Sequence, residues 1–241
     1  MTILLLLVLL ANPEEEEVKR ADTLAAHART LEGKEREHAV DRALEAYRSI
    51  LKRHPKDRRL VPRLRRRRAS LLKREGRVKE ALEEQDAIVR GRARRKDKAR
   101  ALHDGAILLE RAKDYHKAEQ RLRRALEEYP DITSTRAKAS LARGRVLEAM
   151  GRPKEGKKAY RYVVERCWGE AKEAISAYDA LALLAIREGR VDQARRWLRA
   201  CTARYEKRAS RADRYGAFLS RRLGAMKAPR ELAGLNKPEG R

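Results

Sequence analysis

Lys113-Asp-Tyr-His-Lys-Ala-Glu-Gln-Arg-Leu-Arg-Arg-Ala-Leu-Glu-Glu-Tyr-Pro130 carries its apolar residues on a helical beat. Tyr115, Ala118, Leu122, Ala125, Leu126 and Tyr129 recur at three- and four-residue steps, which gathers them on one face of a helix. Pro130 stops that helix, because a proline disfavours the helical conformation of the residue before it. Upstream, Leu102-x-x-Gly105-Ala106-x-x-Leu109 forms a second apolar stripe with two small residues at its centre. The two stripes make a helical hairpin too thin to bury its own apolar face, so the unit must stack on copies of itself.

The copies are present. Small residues mark the second helix of each unit at Ala43, Ala81, Ala118, Gly156 and Ala194, spaced 38, 37, 38 and 38 residues apart. Twelve residues before each of the last four stands another small residue: Ala69, Ala106, Gly144 and Ala182. In the first unit Ala28 lies 15 residues before Ala43, which predicts a three-residue insertion around Gly33 to Glu37. Small residues at two fixed places let paired helices approach closely, and a bulky one would force them apart. Gly76, Gly151 and Gly189 punctuate the hairpins, each followed by an arginine and a new helix, and Pro153 and Pro62 fit helix starts. The second helices end at His54-Pro55 and Tyr129-Pro130, and less sharply near Gly91 and Gly169.

Composition agrees with thin stacked layers. Of 241 residues, 40% are charged and 5% aromatic, with one phenylalanine, Phe218, where a large compact core would use many. Arginine outnumbers lysine by 43 to 18 and the formal net charge is +25. Such a charge favours acidic partners without specifying one.

Ile3 to Ala11 is an apolar run far shorter than the ~20 residues of a membrane span, and it resembles the apolar part of a secretory signal. No Lys or Arg precedes it, and no Cys follows to carry a lipid anchor. The expectation is export to the periplasm or cell envelope, with membrane association only through residues 3–11; a cytoplasmic chain, with this run packed on the first repeat or preceding the true start, is the alternative. Asn12-Pro13-Glu-Glu-Glu-Glu17 then reads as a helix start, its carboxylates facing the positive end of the helix dipole.

The pattern resembles the tetratricopeptide repeat family, whose motif runs Trp-x2-Leu-Gly-x2-Tyr, then Ala-x3-Phe, then Pro, on a 34-residue period. Leu102-x2-Gly105-Ala106-x2-Leu109 with Ala118-x3-Leu122 and Pro130 carries the likeness best. Ala43-x3-Tyr47 with Pro55, Gly156-x3-Tyr160, and Tyr178-x2-Leu181-Ala182-x2-Ala185 with Ala194-x3-Leu198 carry it less closely. Two departures stand out: a period longer by about one helical turn, and Arg65 and Arg68 where the second repeat should be apolar. The resemblance implies an all-α, right-handed α-solenoid of about five hairpins over residues 12–208. A capping helix at 209–226 and a disordered tail at 227–241 follow, after the apolar segment at 1–11.

In the resembled family the first helices line a groove that holds a partner protein. The corresponding inward positions are Arg63, Arg66, Lys73, Arg74, Arg100, His103, Arg111, Lys138, Arg145 and Arg187, against only Glu110, Glu148 and Asp179. Arginine offers a planar fork for carboxylates, so an acidic protein segment is the expected occupant. Arg66, Arg100 and Lys138 occupy places comparable to the family's clamp for carboxyl-terminal peptides, but its asparagines are missing, so that specificity does not carry over. Non-specific RNA binding through Arg63 to Arg68 and Arg90 to Arg100 is the alternative, weakened because no aromatics interleave these runs.

No enzyme is expected. The five histidines never pair at ligand spacing, no phosphate loop or nucleophile motif occurs, and no cofactor, metal or small-molecule substrate is implied. His103-Asp104 is the one adjacent base and acid, and neighbours on a helix should point apart. Cys167 and Cys201 are too few for zinc and read as two thiols, with a disulfide open to an exported chain.

Overall fold

The computed structural model describes residues 13–209, and all ten elements among them are α-helices. They are α1 (Pro13–His27), α2 (Gly33–Arg53), α3 (Leu60–Arg74), α4 (Val78–Arg90), α5 (Arg95–Arg111), α6 (Tyr115–Glu128), α7 (Thr133–Ala149), α8 (Pro153–Arg166), α9 (Ala171–Arg187) and α10 (Val191–Ala209). The odd helices are the first helices of five repeats and the even ones the second. The apolar run at 3–11, the cap at Asn12, most of the expected capping helix and the tail lie outside the described residues. Among those described, no helix is long and apolar enough to cross a membrane.

Two compact units divide between Ala112 and Lys113. In the first, α1 packs on α2, α2 on α3, α3 on α4 and α4 on α5, while α3 also touches α5. In the second, α6 to α10 pack in sequence and α7 also touches α9. First helices α3 and α5 thus meet in the first unit, and α7 and α9 in the second.

The turns follow from the glycines. Gly76, Gly151 and Gly189 take φ of +72°, +73° and +71°, a region open to glycine at no steric cost. The next residue's N–H then reaches back five positions: Arg77 donates to the Leu72 carbonyl at 2.9 Å, Arg152 to Leu147 and Arg190 to Ala185, both at 2.8 Å. The third repeat has no glycine here, and Lys113 adopts the same conformation at φ +61°.

The small residues are where the helices close. Ala43, Ala81, Ala118 and Ala194 are fully buried, as are Ala106 and Ala182. Repeat four uses glycine at both of these places. A Cβ on Gly156 would stand 2.9 Å from the Gly144 carbonyl, and one on Gly144 would stand 2.3 Å from the Tyr160 ring. Tyr160 fills the space left by the missing methyl and donates its hydroxyl to Glu148 at 2.5 Å.

Repeat two carries Arg65 and Arg68 where the family pattern is apolar. Both reach across the hairpin to Glu84, at 3.0 Å and 2.8 Å. Glu84 is buried, and the two cations supply the attraction that apolar contacts supply elsewhere. Burial pulls the Arg68 guanidinium below its usual range, and the Glu84 carboxylate opposes that shift. At the far end, Tyr178 packs against Trp197 and Tyr205, with ring centroids 6.0 Å and 6.4 Å apart.

Candidate functional site: a cationic cleft on the first helices

Five of the ten inward positions read from the sequence line one cavity of about 510 Å3. Arg63, Arg66 and Lys73 come from α3, and Arg100 and His103 from α5. On α3 these residues, with Arg67 and Ser70, follow steps of three and four, so one helical face points into the space. On α5, Arg100, His103, Asp104 and Ile107 do the same. Gln85 enters from α4, and Ala69 and Leu108 add apolar surface. Of the remaining inward positions, Arg74 and Arg111 are exposed on the first unit away from this lining. Lys138, Arg145 and Arg187 belong to the second unit, where Arg187 donates to Glu148 at 3.0 Å.

The cations of the cleft are not equivalent. Arg66 was expected to face a partner, but its guanidinium donates to Asp97 at 2.7 Å, and Arg94 donates to the other oxygen at 2.8 Å. Burial of Asp97 raises its carboxyl pKa, but these two hydrogen bonds outweigh burial and hold it below the usual range. Arg67 is tied to Asp22, and burial lowers its pKa. Arg100 stands 3.5 Å from Asp104. Arg63 and Lys73 have no ion-pair partner among the described residues, so the α3 wall holds the uncompensated charge.

His103 and Asp104 do not point apart. His103 Nδ1 lies 3.0 Å from Asp104 Oδ1, with the ring donating to the carboxylate. Burial raises the Asp104 carboxyl, and the His103 hydrogen bond with the nearby cations more than reverses the shift. The α5 wall is therefore close to neutral.

Sequence reasoning missed Gln85 and Ser70, and it expected Asp104 to point away from His103. Gln85 had a legible signal: it follows Ala69 by 16 residues, as Leu122 follows Ala106, Tyr160 follows Gly144 and Leu198 follows Ala182. An amide where its counterparts are apolar or aromatic marks a departure from pure packing.

A second cavity, about 430 Å3, lies in the other unit among α6, α7 and α8. Leu126, Leu147, Ala159 and Tyr162 give it an apolar lining, edged by Arg136, Arg143, Glu155 and Lys158. Arg143 donates to Glu119 at 2.8 Å and Arg136 to the Pro130 carbonyl at 2.9 Å. Cys167 and Cys201 are separate buried thiols, and burial pushes the latter up to about 12. Among the described residues no three His, Cys, Asp or Glu side chains gather as metal ligands.

Residues 87–131 match the tetratricopeptide repeat family model. The sequence has no significant match among curated proteins. The fold is similar to a crystal structure of MamA, with a TM-score of 0.54 and 21% identity over 73% of this chain and 95% of that one. A second MamA structure gives 0.53 and 20%, covering 81% and 96%. Nearly identical TPR-like repeats from Podosopora anserina give 0.51 and 17%, covering 79% and 97%. Proteins built on these repeats are protein-interaction scaffolds, typically without catalysis of their own. Ten helices on one repeating register among the described residues give the chain the fold of these tetratricopeptide-repeat structures, and residues 87–131 match the family model itself.

Proposed function

We propose that the chain is a non-enzymatic scaffold whose α3–α5 cleft holds an acidic segment of a partner protein. The observation that carries this is the imbalance of the lining: Arg63, Arg66, Arg67, Lys73 and Arg100 stand against the single carboxylate of Asp104. Arg63 and Lys73 supply the attraction, having no ion-pair partner among the described residues, and the remaining cations are held within the fold. The same accounting disfavours RNA as the principal partner. The arginine run from 65 to 68 is paired to Glu84, Asp97 and Asp22, and Arg94 to Asp97, so little of it forms an open cationic stripe.

The test is charge reversal at the two free cations, Arg63→Glu with Lys73→Glu, read by fluorescence anisotropy with labelled polyglutamate and with a single-stranded RNA at fixed ionic strength. An exposed ion pair is worth roughly 0.2–1 kcal/mol, and reversal turns attraction into repulsion at both places. Polyglutamate affinity should fall about tenfold or more at ~1.4 kcal/mol per decade, while helix content and melting stay unchanged. A loss under twofold, or tighter binding of RNA than of polyglutamate, refutes the proposal.

A further inference from the structure

Gln85 is 4% exposed, and its Oε1 has no hydrogen-bond partner among the described residues. A buried amide oxygen without a partner is a standing cost to a fold. At the same register the other repeats carry Tyr47, Leu122, Tyr160 and Leu198, so an apolar side chain would serve packing better. Yet this amide lines the cationic cleft. Its terminal torsion is soft, so the carboxamide can turn its oxygen toward an occupant.

Building on the proposed function, we infer that the cleft reads an extended peptide bearing two acidic residues four positions apart, with Gln85 accepting a peptide N–H between them. The spacing follows from α3. Arg63 and Lys73 are ten residues apart, which at 1.5 Å per residue separates their Cα atoms by about 15 Å. An extended chain advances about 3.3 Å per residue, so four residues span ~13 Å and the long cationic side chains close the remainder. Four is also an even number. In an extended strand, side chains alternate between faces, so residues i and i+4 both face the α3 wall while five positions would turn one away. The opposite face of the peptide meets the α5 wall, where Ile107 offers apolar surface and Asp104, already held by His103, repels carboxylates. A peptide acidic on one face and apolar on the other satisfies both walls.

The probes are two labelled ten-residue peptides of identical composition, rich in Thr and Val to favour extended chain. One carries Glu at i and i+4, the other at i and i+5. The i,i+4 peptide should bind at least threefold tighter. Gln85→Leu should weaken it about tenfold, erase the preference, and melt at or above the wild-type temperature because a costly polar group is gone. Gln85→Met repeats the measurement with an unbranched side chain. Equal affinities, an unaffected Gln85→Leu variant, or one that fails to fold overturns the inference. If polyglutamate binding still depends on Arg63 and Lys73, the broader proposal survives that failure. Should neither peptide nor polyglutamate bind, both fall.

Discussion

Gly144→Ala adds one methyl group to a helix interior, a change that should stabilise a helix by about 1 kcal/mol on propensity alone. Here it should do the reverse. The added carbon would sit 2.3 Å from Cε1 and 2.6 Å from Cδ1 of Tyr160, well inside van der Waals contact. Tyr160 is fully buried and anchored through its hydroxyl to Glu148, which Arg187 also holds, so the ring cannot swing aside without breaking that link. Overpacking of this kind costs about 1–3 kcal/mol or more, and losing the hydroxyl bond to a carboxylate adds about 1.5–3 kcal/mol. After the propensity gain the net destabilisation should be about 1.5–5 kcal/mol. Tyr160→Leu alone should cost about 2 kcal/mol or more through the cavity it leaves. The double variant restores a combination the chain already uses in sequence, Ala106 with Leu122 and Ala182 with Leu198. Its cost should fall below the sum of the two by more than about 1 kcal/mol, the mark of residues in contact. Urea denaturation followed by circular dichroism measures all four chains. A neutral or stabilising Gly144→Ala, or strict additivity, would refute the packing argument.

Asp97 has a folded-state carboxyl pKa below its ordinary value, so its stabilisation is present above about pH 4 and is lost as pH falls through the folded value. Melting temperature against pH should show an acid limb that Asp97→Asn flattens, at a cost of roughly 2 kcal/mol at neutral pH. Asp57 Oδ1 accepts from the Arg59 and Leu60 N–H groups at 2.6 Å and 2.7 Å, so Asp57→Ala should lose about 1 kcal/mol from the start of α3 in the same urea assay. Cys201 is buried with its thiol pushed up to about 12, and burial raises Cys167 as well. Both should resist an aromatic disulfide reagent at pH 8 until denaturant is added, and rapid labelling of the native chain would contradict that burial.

Helix positions and hairpin boundaries were legible because they rest on local spacing. The stripe from Ala118 through Leu122 to Ala125 is buried as its period requires, and the glycine turns fall where the punctuation stood. The wall of first helices was legible too, since the small residues set its register. What escaped were pairings between elements. Arg65 and Arg68 looked like faults because Glu84 lies on another helix, 19 and 16 residues away, and no periodicity links them. Arg66 looked free because its partner Asp97 sits a whole repeat onward. His103 and Asp104 contradicted the rule for helical neighbours because the geometry of two short side chains, rather than their backbone directions, decides that contact.

The ion pair inside repeat two bears on how five near-copies find their own partners. Alanine and leucine interfaces are nearly interchangeable, so a chain of similar hairpins is exposed to joining a first helix to the wrong second helix. Glu84 narrows that freedom for α4. The residues at the register of Arg65 and Arg68 are Leu102 and Gly105 in α5, and Tyr178 and Leu181 in α9. Docking α4 against either would bury a carboxylate with no cation, a penalty of roughly 3–5 kcal/mol. The charge inside the second hairpin acts as an address that favours α3 over α5 and α9, while α7, with Ser140 and Arg143 at the same register, keeps one of the two cations.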